Sequence, residues 1–164
     1  MKVKICSYLI ITLAVVLFSS CNESNEKIKD DESLIFSFHR YGSRIGLDEN
    51  LKINAGATHY SISYRDLETS ELKSYQTTIE TSDELWDYLT KTFNLETFTK
   101  IKDGSCSACV DGFDEEISVI IDGETYSIYN GVVDEYYQQL RDFFDAISQQ
   151  LEYFEIIAKY KYRI

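Results

Sequence analysis

The chain has 164 residues, of which 44% are hydrophobic and 14% aromatic, a composition typical of a folded globule. Its 28 acidic residues outnumber its 16 basic residues and give a formal net charge of −12 at pH 7. A field of this sign repels phosphate backbones, so we expect no nucleic-acid partner.

The first 20 residues have the layout of a secretion signal. Lys2 and Lys4 form a short basic end, residues 5–18 are an apolar run, and Ser19 and Ser20 are small. The apolar run is shorter than the ~20 residues that a membrane-spanning helix needs. Two alternatives are an ordinary secretion signal that is cut after small residues and a short buried helix. The cysteine that follows favours a lipoprotein signal over both.

The segment that ends at Cys21 resembles the lipobox of bacterial lipoproteins, in which an aliphatic residue and two small residues precede a cysteine. The resemblance covers residues 1–21, and Phe18 departs from the usual Leu. It implies cleavage before Cys21 and attachment of fatty (palmitate-type) chains there, so that the lipid bilayer is a partner; two or more chains anchor stably. Asn22 is not the Asp that often retains lipoproteins in the inner membrane. The resemblance therefore implies the cell envelope and its outer membrane, with the periplasmic and surface faces both open.

A polar segment follows the cysteine over residues 22–33. It carries five acids and two lysines and has one apolar residue, Ile28, so it cannot offset its own ordering entropy. As a flexible coil it spans ~20 Å on average. We therefore divide the chain into a signal at 1–20, a lipidated cysteine with an acidic tether at 21–33, and a single domain at 34–164.

Alternating apolar and polar residues predict several strands in the first half of this domain. Leu34, Phe36 and Phe38 alternate with polar neighbours and predict the first strand. A glycine-containing loop is expected over 42–50, then short strands over 51–55 and 60–64. A polar turn at 66–71 leads into a further strand over 72–79, which completes a hairpin.

Residues 81–84 predict the start of a short helix. Thr81 fits the N-cap of a capping box in which Glu84 reaches back. The helix is expected to end near Asn94. Its predicted buried stripe consists of Leu85, Leu89 and Phe93, which lie four residues apart. Trp86 lies beside this stripe.

The Asp122-Gly123 pair predicts a tight hairpin in the second half, because both residues accept the positive φ of a type I′ turn. A two-residue turn also determines the register. The expected pairs on one face are Ile121 with Glu124, Val119 with Tyr126, and Ile117 with Ile128.

After Gly131 the apolar residues recur at spacings of four and three, which predicts one long amphipathic helix. Packing across its own sheet is favoured over a coiled-coil seam. Residues 159–164 alternate between polar and apolar with period two. Both a continued helix and a terminal strand are therefore possible predictions for this segment. The repeating positions are Val133, Tyr137, Leu140, Phe144, Ile147, Leu151, Phe154 and Ala158.

These elements together predict an α+β fold. We expect a mostly antiparallel sheet of about six to seven strands, with one short helix and one long C-terminal amphipathic helix packed on it.

Cys106 and Cys109 form a C-x-x-C pair in the domain. The predicted oxidising compartment favours a small disulfide, with paired thiols as the near alternative. A thioredoxin-like site would place the pair before a helix, whereas a strand is predicted to follow here. A zinc site needs about four ligands, and the chain offers only His39 and His59 as imidazoles. Both histidines lie in predicted strands, where solvent or a polar partner is the favoured neighbour.

Four carboxylates crowd the loop after the cysteines: Asp111, Asp114, Glu115 and Glu116. Oxygen ligands on a glycine-containing loop are candidates for calcium binding, but their spacing does not match an EF-hand. A solvated acidic loop is favoured, and we expect no cofactor.

The motifs of common enzymes are missing from the sequence. It contains no H-E-x-x-H, G-x-S-x-G, P-loop or G-x-G-x-x-G. The helix over 85–93, the cysteine loop and the hairpin at 122–123 loosely resemble small cell-envelope lipoproteins of uncharacterised function, and no active residue carries over from them.

We therefore predict a non-enzymatic, membrane-tethered binding or interaction module, whose protein or ligand partner the sequence does not identify. The alternative is a cell-envelope redox or metal-dependent protein that uses Cys106 and Cys109 with His39 or His59.

Overall fold

A computed structural model describes residues 33–42, 45–107 and 112–162. The signal, the lipobox cysteine Cys21 and nearly all of the tether lie outside the described residues, as do Cys109 and Asp111. Within the described part of the chain, no helix has the length and apolar character needed to cross a membrane.

The described residues form an α+β fold with six strands and four helices, and the α+β prediction is confirmed. All five strand pairings are antiparallel, in the order β4-β3-β2-β1-β5-β6. The strands are β1 Leu34–Gly42, β2 Leu47–Ile53, β3 Ala57–Arg65, β4 Leu72–Glu80, β5 Phe113–Ile121 and β6 Glu124–Tyr129. The helices are α1 Asp83–Thr92, α2 Leu95–Phe98, α3 Glu135–Gln139 and α4 Arg141–Tyr162.

The two faces of the sheet differ in chemistry, because successive side chains of a strand point to opposite sides. One face, here called the covered face, carries the apolar residues that pack against the helices, and the other, the open face, is mainly polar. The ring of Phe36 contacts three aromatic side chains: Trp86 of α1, Phe93 after that helix, and Phe143 of α4. The fully buried members of this core include Phe36, Leu51, Ile53, Tyr60, Leu89, Val119, Phe143 and Phe154.

The second strand begins earlier than predicted. Residues 47–50 belong to β2, whereas the sequence predicted a loop there, and Ala55 lies in a bend after the strand. Glu49 explains why the alternation of apolar and polar residues predicted a loop, because this charged residue occupies a fully buried position of β2. An alternation rule counts such a residue as solvent-facing.

Ser82, rather than Thr81, is the N-cap of α1. The Ser82 hydroxyl accepts a hydrogen bond from the N–H of Leu85 at 3.2 Å. Thr81 is buried, and its hydroxyl lies 2.8 Å from that of Thr58 in β3. The capping-box prediction was therefore one residue early, because a tertiary hydrogen bond engages the first hydroxyl. The predicted stripe is confirmed, since Leu89 is buried and its three partners pack on the core.

The predicted hairpin is confirmed in turn type and register. Asp122 and Gly123 have positive φ of 51° and 85°, and Ile121 pairs with Glu124 at the turn. The pairs Val119 with Tyr126 and Ile117 with Ile128 follow as predicted. Local turn chemistry alone determines this element.

The C-terminal segment is two helices, not one. Asp134 caps α3 by accepting the N–H groups of Tyr136 and Tyr137, and the chain leaves helical geometry at Leu140 before α4 begins. Val133 precedes the helix and is 65% exposed, so its predicted burial was wrong. The other seven repeat positions belong to the core, which confirms packing on the sheet. Residues 159–162 are helical, while 163–164 lie outside the described residues.

Candidate functional site

The cysteine loop is held to the sheet by Asp114 and Asn130. Asp114 is buried, and its Oδ1 accepts the Ser107 N–H at 2.6 Å and the Asn130 amide at 2.7 Å. Asn130 adopts a positive φ of 46° and also bonds to Ser105 O and to the N–H of Glu115. Asp114 therefore acts as an acceptor for loop donors.

Cys106 is disulfide-bonded, and its partner lies outside the described residues. The Cys106 sulfur lies 3.3 Å from Asp114 Oδ2. The pairing of Cys106 with Cys109 remains a prediction, because no described residue supplies the second sulfur. The loop follows α2 and precedes β5, at the end of the sheet where Gly42 pairs with Phe113.

The structure does not gather the three carboxylates of 114–116 at one point. Because they are consecutive in β5, their side chains alternate between the faces. Glu115 bonds to Arg40 on the covered face, whereas Glu116 accepts a hydrogen bond from Tyr129, which raises the pKa of Tyr129. Among residues 33–42, 45–107 and 112–162, no group of three His, Cys, Asp or Glu is arranged to hold a metal ion. The calcium candidate Asp111 lies outside that set.

Both histidines lie on the open face with polar partners, as the sequence indicated. His39 Nε2 lies 2.9 Å from Asp48 Oδ1, and the His39 ring is 4.8 Å from that of Tyr41. His59 Nδ1 lies 2.8 Å from the hydroxyl of Thr78. His39 is in β1 and His59 in β3, so β2 separates them. They do not form a shared ligand pair.

The open face forms a polar surface that extends across all six strands. The strand register aligns one row of side chains across its full width: Gln76, Ser61, Asn50, His39, Glu116 and Tyr129. Two adjoining depressions of about 600 and 370 Å³ lie over β2, β3 and β4 and share Ser61 and Gln76. Hydroxyl, amide and imidazole groups line most of these two depressions, whose charged residues are Asp48 and Lys52, so they offer many hydrogen bonds and little net charge.

The covered face contains an ionic cluster that the sequence analysis missed, here called the Arg40 cluster: Arg40, Glu49, Tyr60, Glu115 and Glu155. Arg40 Nη1 donates to Glu49 at 3.1 Å and to Glu155 at 3.3 Å, and its Nε donates to Glu115 at 2.9 Å. Burial alone would lower the pKa of Arg40, but the hydrogen bond to Glu115 and the charges of the carboxylates raise it. One guanidinium thus joins β1, β2, β5 and α4.

Glu49 is the most enclosed member of the Arg40 cluster, with 1% of its surface exposed. Burial raises its pKa, while the Tyr60 hydrogen bond at 2.7 Å and the Arg40 charge act in the opposite direction. The same burial and the bond to Glu49 raise the pKa of Tyr60. The Tyr60 ring stacks on Phe154 of α4 with centroids 5.0 Å apart. Every buried polar side-chain atom of the described residues has a hydrogen-bond partner.

A crevice of about 240 Å³ opens beside the Arg40 cluster, between the end of the sheet and the last turns of α4. Arg40, Glu49, Glu155 and Lys159 form its polar side. Its remaining walls are largely apolar: Ile45, Leu47, Ile62, Tyr64, Phe113 and Ala158. An apolar pocket with a few convergent polar groups is the usual form of a small-molecule site.

No signal in the linear sequence marks the Arg40 cluster, because its members lie as far as 115 residues apart. The only local hint was Glu49 in an otherwise alternating segment. Comparison with known proteins adds no relative: no family model matches the chain, and no curated protein matches it significantly.

Proposed function

We propose that this protein is a lipid-anchored binding module of the bacterial cell envelope, without enzymatic activity of its own. The lipobox-like segment ending at Cys21 supports the anchor, and the acidic tether supports a domain held off the membrane. The single observation that carries the binding role is the wide polar open face, which offers aligned hydrogen-bonding groups across six strands.

The tether joins the described domain at one end of strand β1. The described chain begins at Ser33 and enters β1 at Leu34, in the middle of the sheet. Arg40 lies six residues further along β1, about 20 Å away at the rise of an extended strand. Because the tether joins β1 at the Leu34 end, the Arg40 end of that strand lies farthest from the proposed anchor.

The anchor is tested by the mass of the N-terminus. Protein purified from its native membrane is expected to begin at Cys21 with covalently bound fatty chains. The Cys21→Ser variant is expected to be lost from the membrane fraction. An unmodified N-terminus, or cleavage at another residue, would show that the anchor is wrong.

The open face is tested by site-specific photo-crosslinking in native cells. A photoreactive residue at Asn50 is expected to give discrete products that the purified domain competes away. The matched control is Tyr88, which is 47% exposed on α1, on the helical side of the domain. Identical products from both positions, or no product from Asn50, would contradict binding through the open face.

A further inference from the structure

The crevice beside the Arg40 cluster lies on the covered face, apart from the surface to which binding was assigned above. Its volume of about 240 Å³ falls below the range of about 300–1,000 Å³ that holds drug-sized ligands. Its occupant must therefore be small, and the apolar walls require that much of it be hydrocarbon.

The charges of the Arg40 cluster, which include Glu115 outside the crevice lining, indicate the sign of the ligand. Glu49, Glu115 and Glu155 surround the single guanidinium of Arg40, so the Arg40 cluster contains more carboxylates than cations. Lys159 adds one ammonium, 3.7 Å from Glu155 Oε2. Three carboxylates against two cations leave one net negative charge, which, within a protein of net charge −12, favours a cation over an anionic headgroup.

Of the two carboxylates that line the crevice, Glu49 and Glu155, Glu155 is the more available to a ligand. Its contacts with Arg40 at 3.3 Å and Lys159 at 3.7 Å are both longer than the 2.7–2.9 Å of a strong charge-assisted hydrogen bond. Its side chain is 30% exposed, whereas that of Glu49 is 1% exposed. A carboxylate has about four lone-pair positions, so Glu155 can accept further donors at shorter distance.

We propose that the crevice binds a small amphipathic primary amine, with its ammonium on Glu155 and its hydrocarbon body between Leu47, Ile62 and Ala158. The ammonium donates to Glu155 in place of the distant Lys159, whose side chain is 67% exposed and free to move into solvent. The hydrocarbon body covers the apolar walls, and this burial drives binding.

Calorimetric titration of the folded domain with four probes tests the ligand class. The probes are n-hexylammonium, methylammonium, n-hexanol and n-hexanoate. We expect n-hexylammonium to bind with saturation and more tightly than the other three, because it alone has both the charge and the apolar body. Absence of saturable binding would overturn the proposal, as would equal or tighter binding of n-hexanol or n-hexanoate.

Three variants of α4 locate the site. Glu155→Gln is expected to weaken n-hexylammonium binding about tenfold, because the ligand loses a hydrogen bond to a charged group. Lys159→Gln is expected to strengthen it about threefold, because it removes the competing surface ion pair. Glu152→Gln changes the same net charge at an exposed position of the same helix and is expected to leave binding unchanged.

The opposite signs of the two effects keep the test decisive even if Glu155→Gln folds poorly. Weaker binding in Lys159→Gln would indicate an anionic ligand and overturn the proposal. Equal effects of Glu155→Gln and Glu152→Gln on n-hexylammonium binding would show general charge attraction and would also overturn the proposal. Methyl NMR shifts at Leu47 and Ile62 are expected on titration with n-hexylammonium and would place the ligand in the crevice independently of affinity.

Discussion

Tyr60 donates its phenolic O–H to Glu49 Oε1 over 2.7 Å, and this bond joins neighbouring strands on the covered face of the sheet. The Glu49 carboxylate lies among aromatic and aliphatic side chains, where an unpaired charge would be costly. Arg40 supplies the second partner of the same carboxylate at 3.1 Å. The stability of the domain is therefore expected to depend on the protonation of Glu49 and on the presence of Arg40.

The first prediction concerns the pH dependence of stability. Burial raises the pKa of Glu49 above its ordinary value of 4.5, so the folded state holds this proton more tightly than the unfolded state. The resulting stabilisation is fully present below the unfolded pKa and is lost as the pH rises through the folded pKa. Glu49→Gln is neutral throughout, so its free energy of unfolding relative to the wild type is expected to rise between pH 4.5 and neutrality.

Urea denaturation of both proteins between about pH 4 and about pH 8 measures this difference. Asp66 and Glu96 have lowered pKa values, but they are exposed and titrate alike in both proteins, so the comparison isolates Glu49. Parallel pH profiles of the two proteins would show that the pKa of Glu49 is not raised.

The second prediction concerns Arg40. Arg40→Met keeps the aliphatic stem but leaves Glu49 buried without a cation, so the free energy of unfolding is expected to fall by about 3 kcal/mol. Arg141→Met is the matched control, since Arg141 pairs with Asp145 at 3.8 Å on the surface, and its loss should cost less than about 1 kcal/mol. Adding Glu49→Gln to Arg40→Met should recover part of the loss. Similar losses for the two arginine variants would contradict this account.

The third prediction concerns the start of α1. Ser82→Ala removes the hydroxyl that caps the N–H of Leu85 and is expected to lower the free energy of unfolding by about 1 kcal/mol. Ser82→Asp retains a capping oxygen and should stay within a few tenths of a kcal/mol of the wild type. Chemical denaturation of the three proteins decides the point, and an unchanged midpoint for Ser82→Ala would mean that Ser82 is not the cap.

The fourth prediction concerns the turn of the β5–β6 hairpin. A Cβ at Gly123 would meet no atom within 4 Å, so Gly123→Ala tests backbone strain alone. With φ at 85°, the substitution is expected to cost about 1–2 kcal/mol in thermal or urea unfolding. Asp122→Asn preserves the turn preference and should be nearly neutral. A neutral Gly123→Ala would show that the turn does not require a positive φ.

Local signals accounted for most of the secondary structure, as particular elements show. The Asp122-Gly123 turn determines its own register, and the four-residue spacing of Leu85 and Leu89 identifies the face of α1 that packs on the core. The errors fall where a distant contact competes with a local rule. Thr81 was expected to cap α1, yet its hydroxyl pairs with Thr58, 23 residues away.

The candidate sites were harder to predict than the elements. The sequence singled out His39, His59 and the carboxylates of 114–116, but the sheet places the two histidines on separate strands and sends Glu115 to the opposite face from its neighbours. The Arg40 cluster was missed altogether, because no spacing rule connects one arginine with acids on three other elements.

The strand and helix periods, the hairpin turn and the net negative charge could be predicted in advance, because each depends on composition or on residues close together in the chain. Two features emerge only from the folded chain: the contact of Arg40 with Glu49 and Glu155 beside an apolar crevice, and the polar character of one face of the described sheet. Those features depend on strand order and on where α4 crosses the sheet. Both follow from the packing of the whole core, which no short segment encodes.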